Sequence, residues 1–255
     1  MLPSNLPNSD GVEVAPVLCR ANVVGDRRGR VGYFMSENRA LYDQRFVIVT
    51  GKGNCFSAGA DFRAQIQRED TGRALQAHER SFEMYRPFLS VLDIEVPTIA
   101  AMNGHAVGGG FGLSLVCDLR IANEDAKYGA NFGRLGLHPG MAISYLLPRI
   151  IGVPRAAELL FTGRLIRGHE AAEMGLANRA VAADEVMPQA MAMAREIAAK
   201  RPAVIRAAKE CLNGIDPVDV NRSYRFEQGF TFELNLTGIS DEARDAFLDE
   251  KKPGS

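Results

Sequence analysis

A chain of 255 residues with 46% hydrophobic content can bury one principal core, with room for an appended subdomain. Its net charge of −1, with basic residues scattered apart from Arg27, Arg28 and Arg30 and from Lys251 and Lys252, gives no reason to expect nucleic acid or an anionic membrane as a partner. Four widely spaced cysteines (Cys19, Cys55, Cys117, Cys211) and only 4 histidines predict no metal site and a reduced, cytoplasmic protein.

The first ten residues lack the basic start and apolar core of a secretory signal, and no run reaches the roughly 20 apolar residues of a membrane helix. Residues 46–50 then read as a short buried strand running into a glycine-rich loop over 51–61, with Asp61 suited to cap the polar helical stretch that follows. Residues 96–102 form the next predicted strand. It leads into Gly104-His-Ala-Val-Gly-Gly-Gly-Phe-Gly112 and a helix-like run over 113–117. Both loops therefore read as strand, glycines, helix. Without a Cβ in the way, a ligand oxygen can reach the N–H groups of a first helical turn, where the helix dipole favours negative charge. Neither loop carries the spacing of the P-loop or dinucleotide-binding signatures, so nucleotide phosphate binding of those types is not expected.

Further along, 119–123 reads as a strand, the loop over 136–140 carries His138, and a helix is predicted over 141–147. A helix over 154–161 is ended by Thr162-Gly163. Asp184 is the expected N-cap of a helix over 185–200, with Pro188 in its first turn, where proline is tolerated. Helices over 203–212 and 218–235 complete the chain. Strands and helices thus alternate to about residue 183, and helices follow.

Three motifs, Phe56-Ser-Ala-Gly-Ala-Asp61, Gly104-His-Ala-Val-Gly-Gly-Gly110 and Cys117-Asp-Leu-Arg-Ile-Ala122, resemble in order and spacing the crotonase (enoyl-CoA hydratase/isomerase) superfamily. The likeness covers about residues 46 to 255 and continues through Tyr128-Gly129, Leu135-Gly136, Pro139-Gly140 and Phe161-Thr-Gly-Arg164. It implies an α/β fold, a crotonase-like spiral of ββα units with a helical C-terminal region. Residues 1–183 would form the spiral core, with 1–45 atypical, and 184–255 a trimerisation region that builds a homotrimer or a dimer of trimers. Tyr224, Phe226, Phe230 and Phe232 would then serve packing and interface rather than catalysis.

The resemblance also implies chemistry. An acyl-CoA thioester would place its carbonyl oxygen between two backbone N–H groups, here those of Ala60 and Gly109, which hold the enolate as it forms. Preorganised donors of this kind are worth about 3–4 kcal/mol each to the transition state. Coenzyme A would arrive as part of the substrate, with no separate cofactor, and Ala58, Asp61 and Lys252 would contact it. The lysines near the end resemble those that touch CoA phosphates in some members of the superfamily.

One departure redirects the reading. The two glutamates with which enoyl-CoA hydratases hold water fall at Gly112 and Phe132, and neither residue can move a proton. General acid–base catalysis is worth about 100- to 10,000-fold, so hydration is disfavoured against decarboxylation, C–C cleavage or isomerisation. The stretch from Tyr128 to Ala142 resembles decarboxylases of polyketide branching, and the C-terminal stretch resembles crotonases that open rings in steroid-derived acyl-CoAs. His138 is the candidate imidazole near the site mouth. His105, Tyr128, His78 and His169 rank below it, as a variable strand end, a packing residue and two helix-surface residues. The alternative is an acyl-CoA-binding paralogue without catalysis.

Overall fold

The computed structural model of the protein describes residues 13–15, 38–43, 45–59, 88–213, 222–225, 227–229 and 236–237. Two sheets organise them. The larger has six strands in the order β1 (Glu13–Ala15), β2 (Asn38–Asp43), β3 (Phe46–Gly51), β5 (Thr98–Met102), β7 (Leu119–Asn123) and β10 (Arg179–Val181). The smaller has the order β4 (Cys55–Ser57), β6 (His105–Val107), β8 (Lys127–Gly129) and β9 (Ile166–Arg167). From β3 to β8 the chain places one strand in the large sheet and the next in the small one, moving over by one position each time. All pairings in that stretch are parallel. This is the spiral of ββ units expected from the motifs.

Burial explains why the large sheet holds. In β3, Val47 and Val49 face the main core with Phe56 and Phe111, while Phe46 and Ile48 face a second core. The period-two alternation of an extended strand thus supplies both layers from one apolar run. The second core is closed by α5 (Val186–Ala198), whose Val186, Ala190 and Ala194 recur at helical spacing and pack on Ile99, Ala101 and Ile121.

The described residues also include the helices α1 (Gly109–Leu115), α2 (Ile143–Ile151), α3 (Val153–Thr162), α4 (Gly168–Glu173) and α6 (Pro202–Asn213). Several helix boundaries differ from the sequence expectation, and three of the starts have a local account. Helix α1 begins at Gly109 rather than 113, so the glycines themselves form the first helical turn. Helix α2 begins at Ile143 because Met141 and Ala142 both adopt left-handed backbone, with φ of 64° and 54°. Helix α5 begins after Glu185, not Asp184. The chain enters through a turn in which the Glu185 N–H donates to Ala182, and no side chain caps the helix.

Residues 222–225 and 227–229 are helical, and their Tyr224, Glu227 and Gln228 are buried. Tyr224 belongs to the main core, as its expected packing role requires. Residues 1–45, expected to be atypical, include β2, which pairs antiparallel with β3 from Asn38–Gly51 to Asp43–Phe46. No helix among the described residues is long and apolar enough to cross a membrane.

Candidate active site

The two glycine loops meet. Asn103, between β5 and β6, accepts the Gly51 N–H through Oδ1 at 2.9 Å and donates through Nδ2 to the Gly53 carbonyl at 2.7 Å. One side chain thereby ties the loop after β3 to the turn before β6. Strand β4 then runs beside β6, and the chain reaches Gly59, whose φ is 81°. A Cβ at that position would stand 2.9 Å from the Gly109 nitrogen and 3.0 Å from the Val107 carbonyl oxygen. Glycine at 59 therefore keeps its own left-handed turn unstrained and the Gly109 N–H uncovered. Gly109 opens α1, ahead of the first helical bond in that turn, from the Gly112 N–H to the Gly108 carbonyl at 3.1 Å.

Facing this loop is the 3-10 turn Asn131–Leu135. The tip of the Phe132 ring and Asn131 Oδ1 lie 3.8 Å and 3.7 Å from the point where a Cβ of Gly108 would stand. Phe132 is buried, so the position that the resemblance aligns with the second hydratase glutamate presents a hydrocarbon wall beside the loop. The first such position is closed outright. A Cβ on Gly112 would lie 2.6 Å from Met141 Cβ and 3.0 Å from its Cγ, and Met141 is fully buried. No side chain fits at 112 while Met141 stays where it is.

Met141 and Ala142 hold left-handed backbone without being glycine, which costs on the order of 1–3 kcal/mol at each residue. Their turn is braced by a carboxylate from the far end of the chain. Glu227 accepts the Ala142 N–H at 2.6 Å and the Ser144 N–H at 3.0 Å, and the Ser144 hydroxyl also donates to it. Burial pushes the Glu227 carboxyl up to about 7 against the downward pull of those donors.

His138 is half-buried on the loop between the Asn131–Leu135 turn and α2, a loop tied back by the Leu137 N–H to the Phe132 carbonyl at 3.0 Å. Its Nδ1 lies 2.8 Å from the Pro139 carbonyl. Since a carbonyl only accepts, Nδ1 carries the hydrogen and the lone pair of the neutral ring is on Nε2. Burial lowers its affinity for a second proton, which the Pro139 bond partly offsets.

Of the other candidates, Ala58 is half-buried immediately before Gly59, whereas Ala60, Asp61 and Lys252 lie outside the described residues, as does His78. His105 is exposed and accepts the Lys127 N–H through Nδ1, and His169 is exposed on α4. Tyr128 is fully buried with its hydroxyl 3.1 Å and 3.0 Å from the Met102 and Asn123 carbonyls, and burial raises its proton affinity well above the phenol range. It is a packing residue. Sequence reasoning missed Met141, Asn131 and Glu227. Glu227 left one signal, a carboxylate three residues after Tyr224 on what must then be the inner face of a helix.

Comparison with known proteins places this geometry. Residues 38–254 match the family model described as enoyl-CoA hydratase/isomerase. Over 207 residues, 81% of each chain, the sequence is 41% identical to a Mycobacterium tuberculosis protein named (7aS)-7a-methyl-1,5-dioxo-2,3,5,6,7,7a-hexahydro-1H-indene-carboxyl-CoA hydrolase. The fold is similar to the crystal structure of an enoyl-CoA hydratase/isomerase from Pseudoalteromonas atlantica, with a TM-score of 0.72 at 27% identity over 84% of this chain and 83% of that one. It is also similar to the decarboxylase domain of CurF from Lyngbya majuscula, as its Y82F variant, with a TM-score of 0.66 at 25% identity over 90% and 86% of the two chains.

Proposed function

The chain belongs to the enoyl-CoA hydratase/isomerase family of acyl-CoA enzymes, and from that premise we propose that it breaks a carbon–carbon bond at the α-carbon of a CoA thioester rather than adding water to a double bond. The observation that carries this reading is the loss of both water-holding positions. Met141 fills the space at Gly112, and the Phe132 ring walls the loop beside Gly108.

The thioester oxygen sits at the Gly109 N–H and, from the family resemblance, at that of Ala60. As the α-carbon bond breaks, its electron pair moves into the thioester and charge develops on that oxygen. Donors fixed in advance stabilise this charge without reorganising, which is where they contribute most. In hydrolytic cleavage, water adds to a β-ketone while His138 accepts its proton at Nε2. The C–C bond then breaks to leave a carboxylic acid and the enolate, and His138 returns the proton to the α-carbon. A ring position of high proton affinity would hold that proton too well, so the burial that keeps His138 neutral suits it to this exchange.

This hydrolytic version is favoured by the likeness to a relative named as a carboxyl-CoA hydrolase. Decarboxylation, in which carbon dioxide leaves the α-carbon and the same enolate is protonated, is the second reading. It is favoured by Phe132 and by the likeness to a decarboxylase domain. The pantetheine end would be held near Ala58, Asp61 and Lys252. We further propose that residues 184–255 carry assembly into trimers, a reading supported by the exposed apolar side chains of Leu212 and Leu236.

The test is a mass-spectrometric turnover screen of the purified protein against crotonyl-CoA, cyclic and linear β-keto acyl-CoAs, and α-carboxy acyl-CoAs. Cleaved or decarboxylated product without hydration of crotonyl-CoA is expected. Fast crotonyl-CoA hydration would overturn the proposal, and tight binding without any product would favour a non-catalytic acyl-CoA-binding protein.

A further inference from the structure

The proposed site raises a question that its own loops do not answer: what keeps Met141 and Ala142 in a backbone conformation that neither residue favours. Nothing within residues 139–143 does so. The Ile143 N–H reaches only the Gly140 carbonyl, at 3.3 Å, and no side chain of that stretch caps α2. The bracing comes from Glu227, eighty-five positions away from Ala142 in the chain, through three donors converging on one carboxylate. Glu227 is 1% exposed, and it sits between Tyr224 and Gln228 on the buried side of the same segment. Its carboxylate is therefore held by packing before it meets the turn.

We propose that Glu227 is a positioning residue of the active site, whose carboxylate holds Met141 and Ala142 in their left-handed turn and so keeps the Met141 side chain packed against Gly112. The C-terminal helical segment thereby sets the shape of the acyl pocket without touching substrate. Removing the carboxylate lets the turn relax toward ordinary backbone, Met141 withdraws from Gly112, and the space opens to water. This deepens the function proposed above and rests on it only for its kinetic consequence.

The experiment is a hydrogen-exchange cycle on the full chain. Glu227→Ala is expected to speed exchange in peptides spanning 140–146 by about tenfold or more, while a peptide spanning 98–102 in the central strand stays protected. In a Met141→Gly/Ala142→Gly background, where the left-handed turn needs no brace, the same replacement should change exchange by less than about threefold. If Glu227→Ala loosens the whole molecule, Glu227→Gln takes its place under the same criteria, since it keeps the shape and one acceptor.

Unchanged exchange at 140–146, or equal acceleration in both backgrounds, overturns the proposal. In the kinetic arm, with whichever acyl-CoA the protein turns over, Glu227→Ala should lower kcat about tenfold and leave KM within about threefold, and Glu227→Gln should recover part of the loss. A rise in KM alone, or no recovery, would count against a positioning role. Should no acyl-CoA be turned over, the proposed function fails while the exchange cycle still decides the role of Glu227.

Discussion

At the scale of single residues, the site depends on atoms that are missing. Gly59→Ala would place a methyl group 2.9 Å from the Gly109 nitrogen and force an unfavourable backbone on residue 59. If that covers the donor, transition-state stabilisation falls by about 3–4 kcal/mol, a loss of 100-fold or more in kcat, measurable with any accepted acyl-CoA. Gly112→Glu, which would restore one hydratase carboxylate, is expected to destabilise the fold by about 1–3 kcal/mol through overpacking against Met141. Chemical denaturation should show that penalty reduced when Met141→Gly accompanies it. The two glycine loops were legible in the sequence, because each is a matter of residue identity at a motif position. The obstruction by Met141 was not, since its contact with Gly112 joins two elements that only the fold brings together.

Glu227 yields a pH prediction. Its carboxyl is raised from an ordinary 4.5 to about 7, so between those values the folded chain holds a proton that the unfolded chain has released. Stability from this group therefore declines as pH rises from about 4.5 to about 7 and levels off above, by at most roughly 3 kcal/mol. His138, lowered below 6.5, acts in the opposite direction, because there the unfolded chain binds the proton more readily. Unfolding free energies of the wild type minus those of Glu227→Gln isolate the first effect. A difference that is flat across this window would contradict it.

At the scale of elements, α6 is fastened to the sheet by an ion pair. Lys209 Nζ lies 2.8 Å from Asp118 Oδ2 and donates to the Val96 carbonyl at 2.8 Å, while Asp118 also accepts from the Thr98 N–H and hydroxyl. Lys209 is 8% exposed, so its replacement by Met strips a buried partner from Asp118. A loss of about 3 kcal/mol is expected, at the lower end for broken buried pairs because the Thr98 donors remain. Denaturant titration of Lys209→Met checks this, and a change below about 0.5 kcal/mol would assign the pair no role in docking α6. Asp118 stood out in the sequence only as part of a family motif, and its partner is on a helix far along the chain. Helix positions were legible from spacing, yet the starts of α1, α2 and α5 were each misplaced by one to four residues. The start of α2 is set by backbone strain and that of α5 by a local turn, neither of which leaves a periodic trace.

At the scale of the molecule, the alternation of strands between two mixed sheets, parallel from β3 to β8, brings the ends of β4 and β6 side by side and sets two glycine loops far apart in sequence next to each other, as the proposed site requires. The motifs made this spiral legible. They did not make legible the linkage from residue 227 back to the site, because a lone glutamate on a helix gives no sign of what it will reach. If residues 184–255 assemble the protein, sedimentation velocity will show a species of three or six chains, and a monomer at micromolar concentration would remove that part of the proposal.

The proposed chemistry requires that a thioester enolate form at the Gly109 N–H. The test is to run the accepted β-keto or α-carboxy acyl-CoA in deuterium oxide with the wild type and with Gly109→Pro, which deletes that N–H at a first helical position where proline is otherwise tolerated. Shortened thioester carrying deuterium at its α-carbon is expected from the wild type, and a loss of at least about 100-fold in the variant with its fold retained. Equal rates from both proteins would contradict it.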